Sequence, residues 1–186
     1  MTLEPEAAEP EGGAAEPLPI VAPIVEAPWS ADFVAQSLEV FIVARTGAGL
    51  VNLRPVHAAS LRLPMAVGRE PAELVLGAVA RYDLRPIVVH STSWRSEPGR
   101  IVLTYVAAVE LSATPSPFLA EEGIGRTDLA RGAATAAPRE IGVSQVLEHA
   151  LRHLSWLVRD DPAVAAALGA WRADLDAYVP EPFRNL

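Results

Sequence analysis

The chain has 186 residues, enough for one domain with a terminal extension. It has no cysteine, which excludes disulfides and thiolate metal ligation, and all 15 basic residues are arginine, which excludes lysine Schiff-base chemistry and a P-loop lysine. The net charge is −8, but residues 1–28 hold 6 glutamates and no basic residue, so the remaining 23 − 6 = 17 acids face 15 arginines and the body stands near neutral, with no electrostatic footprint for nucleic acid.

Residues 1–28 also hold 6 prolines and almost no aromatic side chains. Such a segment cannot bury enough apolar surface to offset its ordering entropy, and it reads as a disordered acidic tail. Leu18 to Val25 is more apolar and is the one part able to lie along the domain as an extended strip. The acidic start lacks the positive n-region of a secretory signal, and no apolar run is long enough to span a bilayer. The expectation is a soluble, cytoplasmic protein with no membrane partner, built as a single domain over 29–180 and a short tail over 181–186.

Leu38 to Arg45 is rich in β-branched and aromatic residues and predicts a strand. Thr46 to Gly49 is a turn signal, and Leu50 to Val56 reads as the returning strand, with Pro55 marking an edge or an end. Ala59 to Pro64 is either a further short strand or an irregular link. Pro71 to Leu84 predicts a helix: proline suits the first turn, and Leu74, Val75, Ala78, Val79 and Tyr82 recur on one stripe. Gly77 weakens it by about 1 kcal/mol and suggests close packing against a sheet.

Ile87 to Arg95 and Arg100 to Leu111 then predict a hairpin through Pro98-Gly99. Residues 112–139 are polar and small, a long loop of the kind that is either functional or poorly ordered, with Asp128 able to cap a short turn. Val143 to Val158 predicts an amphipathic helix, and Asp161-Pro162 is an N-cap and first-turn pair that starts another. Its apolar seam is Val164, Leu168, Trp171, Leu175 and Tyr178, so the two helices predict a C-terminal αα-hairpin. Interleaved hairpins and helices predict an α/β (α+β) fold, a mixed β-sheet sandwiched by helices.

One helix between two strand pairs, followed by a strand opening Val88-Val89-His90-Ser91-Thr92, resembles the layout of Nudix hydrolases. The resemblance covers about residues 36–111, and at most 36–160. In that family the helix carries the box G-x5-E-x7-R-E-U-x-E-E-x-G-U, whose glutamates hold divalent metal against a diphosphate. With the box ending on Leu84, its paired metal-ligand glutamates fall on Ala80 and Arg81, its Arg-Glu pair on Leu76 and Gly77, its first glutamate on Gly68 and its closing glycine on Asp83. Only the terminal leucine matches. Magnesium needs hard oxygen ligands, and this helix offers a methyl group and a cation instead. Glu70 and Glu73 near the helix start suit the positive helix N-terminus rather than a relocated metal site. The resemblance therefore implies a Nudix-like domain without the family's catalysis, metal or cofactor.

The remaining chemistry lies in the hairpin, His90 to Tyr105 (HSTSWRSEPGRIVLTY). With a loop over Ser96 to Gly99, strict alternation puts His90, Thr92, Trp94, Ile101, Leu103 and Tyr105 on one face and Ser91, Ser93, Arg95, Arg100 and Thr104 on the other. Arg95 would oppose Arg100, and His90 would oppose Tyr105 within hydrogen-bonding reach. The candidate ligand-binding residues are Arg95, Arg100, Ser91, Ser93, Thr104, His90 and Tyr105, with the arginines as anion donors; ordinary cross-strand stabilisation explains the same residues. The parity separates His90 from Arg95, which weighs against an enzyme using His90, Tyr105 and Arg95 together.

No nucleophile elbow of the G-x-S-x-G type is present. His149 and His153 stand at i, i+4, a spacing that lets two imidazoles share a metal, but they sit with Gln145, Glu148 and Arg152 opposite the apolar stripe and read as a solvated face. Arg45, Arg54, His57 and Arg62 make a second basic group around the first hairpin, facing either solvent or an acidic ligand. The sequence thus predicts no catalytic residues, no metal and no cofactor. The expected function is a non-catalytic domain binding a small molecule or protein; the alternatives are a structural protein forming a homodimer and an enzyme of another class.

Overall fold

The computed structural model describes residues 35–66, 68–111, 116–125 and 141–178. The chain divides into two units, Met1–Ser30 and Ala31–Leu186, and every described residue belongs to the second. The acidic tail, the Asp128 turn, most of the 112–139 loop and the 181–186 tail lie outside the described residues.

The strands are β1 (Ala35–Thr46), β2 (Gly49–Pro55), β3 (Leu61–Pro64), β4 (Pro86–Glu97), β5 (Arg100–Val109) and β6 (Leu119–Gly123). The helices are α1 (Pro71–Ala80), α2 (Val143–Asp160), α3 (Pro162–Leu168) and the short α4 (Arg172–Leu175), with 3-10 turns at Gly169–Trp171 and Asp176–Tyr178. The fold is mixed α/β. The six strands form one mixed sheet in the order β4-β5-β1-β2-β6, with β3 beside the first half of β1. β1 runs parallel to β5 from Ala35↔Arg100 to Ala44↔Val109; every other pair is antiparallel. No helix among the described residues is long and apolar enough to cross a membrane.

Strand alternation divides the core in two. Leu38, Val40, Ile42 and Ala44 of β1 join Ala107 and Val109 of β5 against Val75, Ala78 and Val79 of α1. Phe41 and Val43 join Val106 and Ala108 against Leu147, Leu151 and Leu154 of α2. The same second cluster takes Leu168, Trp171, Leu175 and Tyr178, so the predicted C-terminal seam is buried as one surface. It is not one helix: the backbone passes from α3 through the Gly169 3-10 turn into α4. Asp161 caps α3 as its sequence suggests, accepting from Ala163 N at 2.8 Å and Val164 N at 3.1 Å.

Three expectations need correction. α1 stops at Ala80, and residues 81–83 form a turn in which Asp83 has φ of 59°, a left-handed conformation that a polar short side chain tolerates. Arg85 precedes a proline and is steered out of helical geometry, so Leu84 enters the core from a loop. Gly77 is exposed, and a Cβ there would meet nothing within 4 Å, so close packing is not its role. Within the stretch read as loop, Leu119–Gly123 forms β6 on the β2 edge; five residues with two glutamates carry too little strand signal to be read alone.

Candidate functional site

The hairpin of β4 and β5 turns through Pro98-Gly99 alone, with Gly99 at φ of 74°. Glu97 therefore opposes Arg100, Trp94 opposes Leu103 and Arg95 opposes Val102. The like-charge pair expected between Arg95 and Arg100 does not exist. Between Ser91 and Ser93 the register slips, leaving Thr92 as a bulged residue. An extra residue on one strand inverts the alternation beyond it. His90 opposes Val106 rather than Tyr105, and joins Ser93, Arg95 and Thr104 on the α2 face. Ser91 opposes Tyr105 on the α1 face. The parity that separates His90 from Arg95 in an uninterrupted strand is thus overturned by one bulge. Tyr105 is taken away from both, and a His90–Tyr105–Arg95 constellation does not assemble.

Beneath Arg95 lies a residue that the sequence reading passed over. Glu39 sits in the middle of the most apolar strand and is fully buried. Arg95 Nη1 donates to it at 2.6 Å, Ser60 Oγ donates at 2.8 Å, and Arg62 Nη2 stands at 2.9 Å. Glu97 closes the group, within 2.9 Å of Arg95 Nη2 and 3.2 Å of Arg62 Nη2. Burial works against the Arg95 charge, but the hydrogen bond and charge of Glu39, then those of Glu97, outweigh it and raise the Arg95 pKa. The hydrogen bond from Arg62 leads in holding the Glu97 carboxyl below its ordinary value. Two carboxylates and two guanidinium groups cancel, so Arg95 is anchored rather than presented to an anion. A lone carboxylate among Leu38, Val40, Phe41 and Ile42 was the available signal: a charge on a core strand requires a buried partner.

The three arginines of the basic group around the first hairpin are neutralised in the same way, while His57 is exposed. Arg45 pairs with Asp174 at 2.6 Å, Arg54 with Glu122 at 2.8 Å, and Arg62 with the Glu39 network. Arg69 stands 3.5 Å from Glu73, so that carboxylate at the start of α1 has a cation beside it. Arg100 lies apart from Arg95, in an open cleft of about 690 Å³ with Gln36, Ser37, Arg62 and Glu97.

Next to Arg95, β4 and the start of α2 enclose a cavity of about 250 Å³. Ile141 and Val146 give it apolar walls, and Ser93, Arg95, Gln145 and His149 give it polar groups; Trp94 borders it, but its cross-strand partner Leu103 belongs to the α1 face, so its ring is turned away. Gln145 Oε1 is already engaged, accepting from Gly142 N at 2.8 Å, which leaves its amide as a donor. His149 is exposed, as its side of α2 suggests, whereas Glu148 beside it is buried. The Thr92 backbone, at the bulge, partly offsets the lowering of the His149 pKa. His153 contacts the His149 ring edge-on with centroids 4.7 Å apart, and His90 from β4 stands 5.9 Å from His153. Burial lowers the pKa of all three; contact with His153 adds to the effect at His90 and at His149, where Arg152 also contributes. Among the described residues no group of three or more side chains is arranged to hold a metal ion.

No protein-family model matches the chain, and no curated protein matches it.

Proposed function

We propose that this chain is a non-catalytic, Nudix-like domain with a C-terminal αα-hairpin, and that it binds a small ligand or a partner side chain in the cavity between β4 and α2. The observation that carries the reading is the cavity itself: apolar walls from Ile141 and Val146 with a few polar groups from Ser93, Gln145 and His149, the composition of a binding pocket. The layout supports the family likeness. α1 follows β3 and precedes the β4–β5 hairpin, β5 runs parallel to β1, and α2 covers the opposite face. The absence of carboxylates at Ala80 and Arg81 supports the loss of catalysis, since a diphosphate-bound metal has no oxygen ligand there.

The test is incubation of the protein with magnesium and a set of nucleoside diphosphate derivatives, with phosphate release followed. No turnover is expected. Turnover that chelation abolishes would overturn the non-catalytic reading.

A homodimer is the second reading, favoured by β4. It is a 12-residue edge strand whose Trp94 is 68% exposed. Long uncovered edges pair readily with other strands. Light scattering across a concentration series decides it, and a strict monomer removes it.

A further inference from the structure

The three histidines that sequence spacing split between a hairpin and a helix face form one cluster across β4 and α2. The cavity walls come from the same two elements: Ser93 and Arg95 from β4, and Gln145, Val146 and His149 from α2. His149 belongs to both the cluster and the cavity. A neutral imidazole keeps one nitrogen as an acceptor, so neutral His149 offers the cavity an acceptor that its protonated form lacks. From the structure we infer that occupancy of this cavity is coupled to the protonation of the His90–His149–His153 cluster, and that the neutral cluster is the binding form for an uncharged, mainly apolar ligand carrying one hydrogen-bond donor. This rests on the binding reading above and names the ligand class and regulation of that site.

Two effects act in the same direction. Protonation removes the acceptor that His149 offers to a ligand donor. It also places positive charge on rings whose centroids are 4.7 and 5.9 Å apart, which pushes α2 away from β4 and deforms the walls.

Among the described residues, the surroundings do not supply a counter-charge. On α2, Arg152 adds to the lowering at His149, and it is held by the buried Glu148 at 2.9 Å. On β4, Arg95 is tied to Glu39 and Glu97. β5 shows Val102, Thr104, Val106 and Ala108 to this face, and α3 over Pro162–Leu168 has no titratable side chain. Asp161 is committed to capping α3, and Arg159 to Asp176.

Phenol is a suitable probe, being uncharged through the range of interest, apolar over its ring and a single donor. Its binding is followed by NMR on the Ser93 backbone N–H and the His149 ring proton, from about pH 8 to about pH 5. Phenol is expected to shift both signals at the higher pH, and its affinity to fall about tenfold per pH unit for one linked proton across the titrating range. His153→Gln and His90→Gln, neither of which lines the cavity, should each flatten that dependence while keeping binding at the higher pH. Two variants guard against one failing to fold. Equal affinity at both ends, or tighter binding in acid, overturns the coupling and leaves the binding reading standing. No shift of either signal at any pH overturns the binding reading and the coupling with it.

Discussion

Arg95 on the edge strand and Glu39 two strands away are joined at 2.6 Å across the α2 face of the sheet, with Glu39 fully buried. The register makes this possible. Glu39 lies level with Thr104 of β5, and Ser93 lies level with Thr104 from the other side, so Arg95 reaches over β5 to the carboxylate. Arg95 also comes within 3.4 Å of Thr104 Oγ1 on the way. The pair ties together β1, β4 and, through Arg62 and Ser60, the β3 edge.

Removing one partner should therefore cost more than a surface ion pair. Arg95→Ala leaves Glu39 buried with Arg62 and Ser60 only, and the expected loss is about 3 kcal/mol, the lower end for breaking a buried pair because two partners remain. Glu39→Leu should cost a similar amount, since Ser60 and Arg95 lose their acceptor. The double variant should be less damaging than the sum of the two. Urea unfolding of the four proteins gives the cycle; strict additivity would show that the two side chains do not communicate.

Gly77→Ala tests a negative finding. The site is exposed and helical, with open space where a Cβ would stand. Alanine should raise stability by about 0.5–1 kcal/mol, through helix propensity and a less flexible unfolded chain. A lower thermal midpoint for the variant would mean that another chain or ligand sits against this face.

Asp161 is expected to behave as an ordinary cap. It satisfies two backbone N–H groups at the start of α3, and Asp161→Ala should lose about 1 kcal/mol, with Asp161→Asn recovering most of it. Because Leu168, Trp171, Leu175 and Tyr178 follow α3 into the core, the loss should be read in global unfolding rather than in local fraying.

The elements with long periodic signals were legible from sequence: β1, the α1 stripe, the β4–β5 hairpin and the apolar face of α2 fall where alternation and helical spacing put them. What could not be read depends on single residues. A bulge at Thr92 inserts no unusual residue, so alternation continues past it on paper and assigns His90 and Ser91 to the wrong faces. His149 and His153 read as a solvated face, and His149 is exposed; helical spacing cannot show that an edge strand brings a third imidazole beside them. The arginines read as candidate anion donors because their acids lie far along the chain, as Asp174 does from Arg45.

Stability should respond to pH in two steps. The folded protein lowers the pKa of His90, His149 and His153 below 6.5, chiefly by burial, so the unfolded chain binds protons first. Stability is unaffected by these groups well above that value, declines as pH falls through it, and levels off below the depressed folded values. Glu97 adds a second decline. Its folded pKa lies below 4.5, mainly through the Arg62 hydrogen bond, so its contribution is present above 4.5 and lost as pH falls toward the folded value. The check is the urea midpoint measured from about pH 8 to about pH 3. His153→Gln should shrink the first decline and leave the second, whereas Arg62→Gln should shrink the second and leave the first. A midpoint that stays flat through the histidine range would show that the three rings are fully solvated and do not sense one another.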